Sequence, residues 1–317
     1  MKHLFTLLAL TVGFSMYGQL GPVTENGQTG QRLQTSNASN HGDIGSNAVD
    51  LSNSDFLSFR GATGNYSTAM GFFTMASGDY STAMGESSTA SGDFSTAMGE
   101  ASTASGDTST AMGIFTRASG STSTSMGLFT IASGDSSTAM GDSTTASDYG
   151  SLVIGQYNLS GATVTNSATA FNIANTAFVI GNGANGSNQS DAFKVLFSGE
   201  TVIGSDLEVK GNVLISSDAR LKANIVSLGS TLAKLLLIDG KRYTMKKDGK
   251  QNIGVLAQDI QKVFPELVST DDKEMLAVNY QGLVPVLINA LKEQDAKMKE
   301  QEKRLERLEA IISKIDR

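Results

Sequence analysis

Polar and apolar positions alternate through the short stretch Ser-Thr-Ala-Met, give way to Gly, and the same arrangement returns every 14 residues. Met70, Met84, Met98, Met112, Met126 and Met140 form one column, each followed by Gly, and Ile154-Gly155 continues it. Ala76, Ala90, Ala104, Ala118, Ala132 and Ala146 form a second column, and Gly78, Gly92, Gly106, Gly120 and Gly134 a third. Alternation with period two predicts a short strand, and the Gly after each strand predicts a bend. Two strands and two turns fit within one repeat, so the pattern predicts a parallel β-roll or solenoid over residues 48–191. A single coil of this size buries nothing by itself; stability has to come from stacking neighbours, and from association of chains. A flexible Ser/Gly linker would have no use for fixed Met and Gly columns.

The flanks read differently. Met1-Lys2-His3 precedes an apolar run from Leu4 to Phe14, with small Gly18 before Gln19. That is the layout of a secretory signal peptide over residues 1–18, with a run too short to span a bilayer comfortably. The mature chain is expected to be secreted or displayed at the cell surface without a transmembrane segment. Residues 19–47, rich in Gly, Ser, Asn and Gln, are expected to be a flexible lead-in. Between 192 and 215 the pattern predicts short alternating strands with Gly turns, as in Thr201-Val-Ile-Gly204 and Leu207-Glu-Val-Lys-Gly211, a β-prism-like neck. After Ser216, Lys, Leu and Glu rise and helical spacing appears, which predicts a small α+β domain over 216–290. Leu291, Gln294, Met298, Gln301, Leu305, Leu308, Ile312 and Ile315 then recur at spacings of three and four, with Leu287 upstream. This heptad seam predicts a coiled coil over 291–317, and Ile at both core positions near its end favours a trimer.

Composition removes several kinds of chemistry. The 317 residues carry 24 basic and 31 acidic side chains, a net charge of −7, which argues against a nucleic-acid partner. Cysteine is absent, so thiolate metal sites and cysteine nucleophiles are excluded, and His3 and His41 sit where neither a triad nor a metal cluster is expected. No cofactor or metal is expected. Asp79, Asp93, Asp107 and Asp135 resemble the acids of calcium-binding rolls, but the period and glycine placement favour turn chemistry. One remaining nucleophile–base pair is a serine with a lysine. Ser217 and Lys222 are five apart, and a helix starting after Asp218 would fold the lysine back towards the serine. Its N-terminus would also face an oxyanion. Read from spacing alone, the segment is equally an ordinary helix start capped by Ser217 or Asp218.

Two family resemblances sharpen this reading. The Ala-Met-Gly and Ala-Ser-Gly columns resemble the YadA-like head of trimeric adhesins, which implies a left-handed parallel β-roll in a homotrimer. Unlike that family, the chain shows no membrane barrel. Ser217-Asp-Ala-Arg-Leu-Lys-Ala-Asn-Ile225, Gly254-Val-Leu-Ala-Gln-Asp259, Phe264-Pro-Glu-Leu-Val268 and Val278-Asn-Tyr280, followed by a coiled coil, are similar to the intramolecular chaperone of phage endosialidases, tailspikes and tail fibres. That resemblance implies a module that trimerises, guides folding of the upstream β-structure and cuts itself off with a Ser-Lys dyad. Carried over by position, Ser217 is the nucleophile and Lys222 the general base, with Asp218, Arg220 and Asn224 in support. The expected activity is a single-turnover autoproteolytic serine peptidase acting on its own chain next to Ser217. The partner is the chain itself, and a host-surface or glycan ligand stays unspecified. The alternative is a non-cleaving adhesive protein that keeps its C-terminal domain as a trimerisation cap. A polysaccharide-degrading spike would need clustered carboxylates in a groove.

Overall fold

A computed structural model describes residues 20–55, 59–246, 248–271 and 274–315. The expected signal peptide lies outside the described residues. The chain folds as two compact units divided between Asn212 and Val213.

The first unit is a parallel β-solenoid of about nine turns. Each 14-residue coil contributes a five-residue strand, such as Thr82–Glu86, and a two-residue strand, such as Thr89–Ala90. The longer strands build a 13-stranded sheet and the shorter ones a seven-stranded sheet. Register follows the repeat without slip: Ala83 pairs with Ala97, Met84 with Met98 and Gly85 with Gly99. Inside, Ala69, Ala83, Ala97 and Ala111 of the long sheet and Ala76, Ala90, Ala104 and Ala118 of the short sheet are fully buried. The coil is too narrow for larger side chains, which is why a conventional Leu or Phe core is missing from this stretch. Two buried methyls per coil are worth roughly 1–2 kcal/mol, too little for one coil to stand alone.

The corners carry two columns of left-handed residues that are not glycine. Tyr66, Tyr80, Phe94, Thr108, Thr122 and Ser136 have φ between 54° and 59°, and Phe73, Phe115 and Phe129 share φ 53° at the other corner. Neighbouring rings partly offset this strain: Tyr66 stacks on Tyr80 and Tyr80 on Phe94 with centroids 4.9 Å apart, and Phe115 on Phe129 at 5.2 Å. Thr108 has no ring to stack. Thr108→Gly is therefore expected to raise the melting point, by a net stabilisation of roughly 0.5–1 kcal/mol. The corner acids serve the turns. Asn65 N donates to Asp79 Oδ1 (2.9 Å), Asp79 N to Asp93 Oδ1 (2.9 Å), Asp93 N to Asp107 Oδ1 (3.2 Å) and Ser121 N to Asp135 Oδ1 (2.9 Å).

Residues 20–47 correct the expectation of a flexible lead-in. Leu20–Glu25 and Gln28–Leu33 form an antiparallel hairpin whose second strand pairs in parallel with Val49–Asn53, so the hairpin closes the end of the long sheet. Pro22 lies on the outermost strand, where a missing N–H discourages further pairing. Beneath it is an ionic cluster that a hydrophobic pattern does not reveal. Asp50, with no exposed surface, accepts from Arg32 Nε (3.1 Å), His41 Nδ1 (2.9 Å) and Ser52 Oγ (2.6 Å). Arg32 also donates to both oxygens of Glu25 (2.8 and 3.2 Å). Burial pushes the Asp50 carboxyl up, but the bonds from His41 and Ser52 outweigh it and hold it below its ordinary value. A carboxylate depressed in the folded state stabilises above its unfolded pKa, and that contribution is lost as pH falls through the folded one. Asp50→Asn is accordingly expected to cost about 1–3 kcal/mol near neutral pH. Thermal melts from pH 7 down to pH 3 should then show a flatter acid dependence in the variant than in the parent.

At the other end, Thr176–Asn182 rejoins the sheet in parallel beside Leu152–Gln156. Asp191–Leu196 and Thr201–Ile203 then close it in antiparallel fashion. The strand expected near Leu207 is not formed: 205–212 has no regular strand and is exposed, because in a single chain its backbone has no neighbour to pair with.

The second unit is a small α/β assembly. Lys241–Thr244 pairs with Gln251–Gly254, and Val268–Thr270 with Leu276–Val278. Helix Ala257–Val263 and helix Leu283–Ile315 pack on these through a small core of Ile260, Phe264 and Val286. The long helix begins at Leu283, ahead of the expected seam, because Pro285 sits in its first turn where its missing N–H is no loss. Val286 and Ala290 are buried, and Glu293 reaches across to cap the short helix Leu232–Leu235. It accepts from Ser230 Oγ (2.7 Å), Thr231 N and Leu232 N (3.2 Å). Seam residues Leu291, Met298, Leu305, Leu308 and Ile312 are all exposed, Leu291 to 68%.

Candidate functional site

The site is built from one turn of chain. Asp218 caps a single 3-10 turn, Ala219–Leu221, by accepting from Arg220 N (2.8 Å). The Arg220 guanidinium returns to the same carboxylate through Nε (3.1 and 3.2 Å) and Nη2 (2.7 Å). The hydrogen bond from the Arg220 side chain holds the Asp218 carboxyl below its usual range, and Asp218 in turn raises Arg220. After the turn Lys222 is extended (φ −124°, ψ 142°), which sends its side chain back along the turn. Lys222 Nζ donates to Ser217 Oγ at 2.7 Å. Asn224 follows in the left-handed region (φ 53°), a conformation Asn tolerates better than most residues, and redirects the chain.

Two details differ from expectation. Lys222 comes back through one 3-10 turn, not a helix. That turn also leaves little to hold an oxyanion, because Asp218 occupies Arg220 N, and Leu221 N and Lys222 N donate to Asp218 O (3.1 Å) and Ala219 O (3.0 Å). Residues 213–230 are exposed throughout. The pair is thus preorganised but hydrated. In the observed bond lysine is the donor; to act as a base it must first lose that proton, which requires burial or nearby positive charge.

The other motif segments meet one another on this unit at partly exposed positions beside its small core. Tyr280 Oη accepts from Val255 N (3.1 Å), and Gly254 lies so close that a Cβ there would fall 2.7 Å from that oxygen. Asn279 N donates to Leu267 O (2.8 Å), joining the segment after Phe264 to the one ending at Tyr280. These contacts join the segments of the unit that carries Ser217 and Lys222. Spacing did not reveal Glu293, whose capping partners lie over 60 residues earlier, nor an open groove of about 870 Å³ lined in part by Tyr243, Met245, Leu256, Met275 and Tyr280. Among the described residues no group of three or more His, Asp or Glu side chains is placed to hold a metal ion. None of the described helices is long and apolar enough to cross a membrane.

Comparison with known families matches both units, in order. The YadA head domain repeat matches residues 76–102, 104–130 and 132–158. The family described as the chaperone of endosialidase matches 217–269, a span that begins at Ser217 and includes Lys222, the first hairpin and helix Ala257–Val263. No curated protein matches the chain.

Proposed function

We propose that this protein is an exported homotrimeric, adhesin-like fibre whose C-terminal domain assembles three chains and then releases itself by one cut next to Ser217. In this reading residues 1–18 are removed on export and 48–191 form the head. A neck follows over 192–215, the chaperone over 216–290 and a trimeric coiled coil over 291–317. The observation that carries it is the 2.7 Å bond between Lys222 Nζ and Ser217 Oγ, at the start of the segment similar to the endosialidase chaperone.

The step balances within the chain. Neutral Lys222 removes the Ser217 hydroxyl proton as Oγ attacks the Ser216 carbonyl carbon. The peptide C–N bond breaks, the lysine proton passes to the departing Ser217 amine, and Ser216 is held as an ester on Ser217 Oγ. Water then cleaves the ester, leaving a Ser216 carboxylate and a free Ser217 amine. Asp218 and Arg220 hold the turn, and Asn224 directs the chain away from it.

Trimerisation supplies what a single chain lacks. The dyad is hydrated, the seam of the long helix is uncovered, and the second unit buries few large apolar side chains. Three chains closing around this region remove water from Lys222 and favour its neutral form. Cleavage is then coupled to assembly. The rival reading, a retained trimerisation cap, draws on the same exposure, since a dyad that stays hydrated does not react. Mass spectrometry of the purified secreted protein separates the two: two fragments meeting at Ser217 support cleavage, and an intact chain supports the cap.

A further inference from the structure

From Val213 to Gly229 the segment that carries Ser217 and Lys222 is exposed. Its hydrogen bonds stay within the segment, from the turn at Asp218 to Gly229 N on Ser227 Oγ (3.3 Å). The first residues tied to the rest of the unit are Ser230, Thr231 and Leu232, and one side chain ties all three. Glu293 accepts from Ser230 Oγ (2.7 Å), Thr231 N and Leu232 N (3.2 Å). Thr231 is buried, with its hydroxyl on Val286 O (3.0 Å). Glu293 belongs to helix Leu283–Ile315, which also carries the heptad seam. Val286, Ala290 and Glu293 share one face of that helix, at spacings of four and three. Leu287, Leu291, Gln294 and Met298 repeat the spacing one residue later, on an exposed face about 100° round. We infer that Glu293 is a positioning residue for the cut at Ser217: it fastens the dyad segment to the helix whose seam gathers the chains, so that helix association carries Ser217 and Lys222 into the closing centre. The inference rests on the cleavage reading above and names the link between assembly and chemistry.

Thr231 lies nine positions after Lys222, so the dyad ranges no further than roughly 30 Å from this anchor. Without the anchor the tether lengthens and the dyad escapes the closing centre more often. A carboxylate suits the task, because its two oxygens have room for all three donors. The bond from Ser230 is the main reason its carboxyl lies below the ordinary value, so Glu293 is ionised at neutral and alkaline pH alike. The charged groups beside Lys222 are those of its own turn, Asp218 and Arg220, together with the Ser217 hydroxyl it bonds. No other described element covers 213–229, so the state of Lys222 depends on what assembly brings over it.

Glu293→Ala in the full-length chain is expected to sediment as a trimer and to cut about 10²-fold more slowly than the parent, the scale of a misplaced reacting pair. Glu293→Gln is expected to recover most of the rate, because it keeps an acceptor oxygen for Thr231 N and Leu232 N. Ser230→Ala, which removes one bond from an exposed side chain, is expected to slow the cut less than Glu293→Ala. The deficit of Glu293→Ala should shrink as pH rises from about 7 to about 10, where lysine loses its proton without being dehydrated. A merely weakened domain would lose the same proportion at every pH. Glu293→Ala cutting at the parental rate, a deficit constant across pH, or no recovery in Glu293→Gln overturns the positioning role. A Glu293→Ala chain that folds but sediments as a monomer makes the residue an assembly contact and overturns it equally. Should Glu293→Ala not fold, Ser230→Ala decides: a trimer cutting at the parental rate overturns the inference. A parent trimer that never cuts overturns the cleavage reading itself, and this inference with it.

Discussion

Replacing Ser217 with alanine is expected to leave the secreted chain uncut, while the parent accumulates as two products joined originally at the bond before Ser217. Loss of the nucleophile from a unit that acts through a single pair removes the reaction's covalent route, so the rate should fall by roughly three orders of magnitude or more. Lys222→Met should do the same while keeping the length of the side chain. Sedimentation of both variants should still show trimers, since neither residue contributes to the core around Ile260 and Phe264. A full-length parent indistinguishable from Ser217→Ala by mass would end the cleavage reading. Intact mass and sedimentation together therefore separate failure of chemistry from failure of assembly.

The second large effect lies in the solenoid. Gly99 has φ 116°, outside the region that side chains adopt, and a Cβ there would collide with the carbonyl oxygen of Gly113 on the next coil. Gly99→Ala has to open the stack or twist the strand, and a cost of about 3–5 kcal/mol is expected from combined backbone strain and overpacking. Because each coil is held only by its neighbours, the defect should spread along the array. Thermal melting should show a lowered, broadened transition, whereas Glu100→Ala on the exposed side of the same strand should change little. Equal melting of Gly99→Ala and the parent would show that the coils are not stacked as described.

Much of this architecture was legible because the head is written as columns. Ala, Met and Gly at fixed intervals carry strand, interior and bend at once, and the observed register reproduces those intervals residue for residue. The missed parts have local physical reasons. The hairpin at 20–33 is stabilised by Arg32, His41 and Asp50, charged and polar groups that read as solvated when seen singly. Tyr and Thr in left-handed corners contradict the usual preference for Gly or Asn and are tolerated through stacking and the neighbouring coils. The return of Lys222 through a 3-10 turn depends on the Asp218 cap, which a five-residue spacing does not distinguish from a helix start. Glu293 could not be found from spacing, because the helix it caps is far away in the chain.

Between Thr68–Phe72 and Leu152–Gln156 the coils repeat every 14 residues, and the closing hairpin and the antiparallel pair attach through longer, specialised coils outside that run. Inserting or deleting one 14-residue unit therefore changes the reach of the head by about 4.8 Å and leaves both ends chemically unchanged. Duplication of a short stretch of gene is enough to make a longer version. The length of the solenoid is thus a copy number, open to adjustment without redesign.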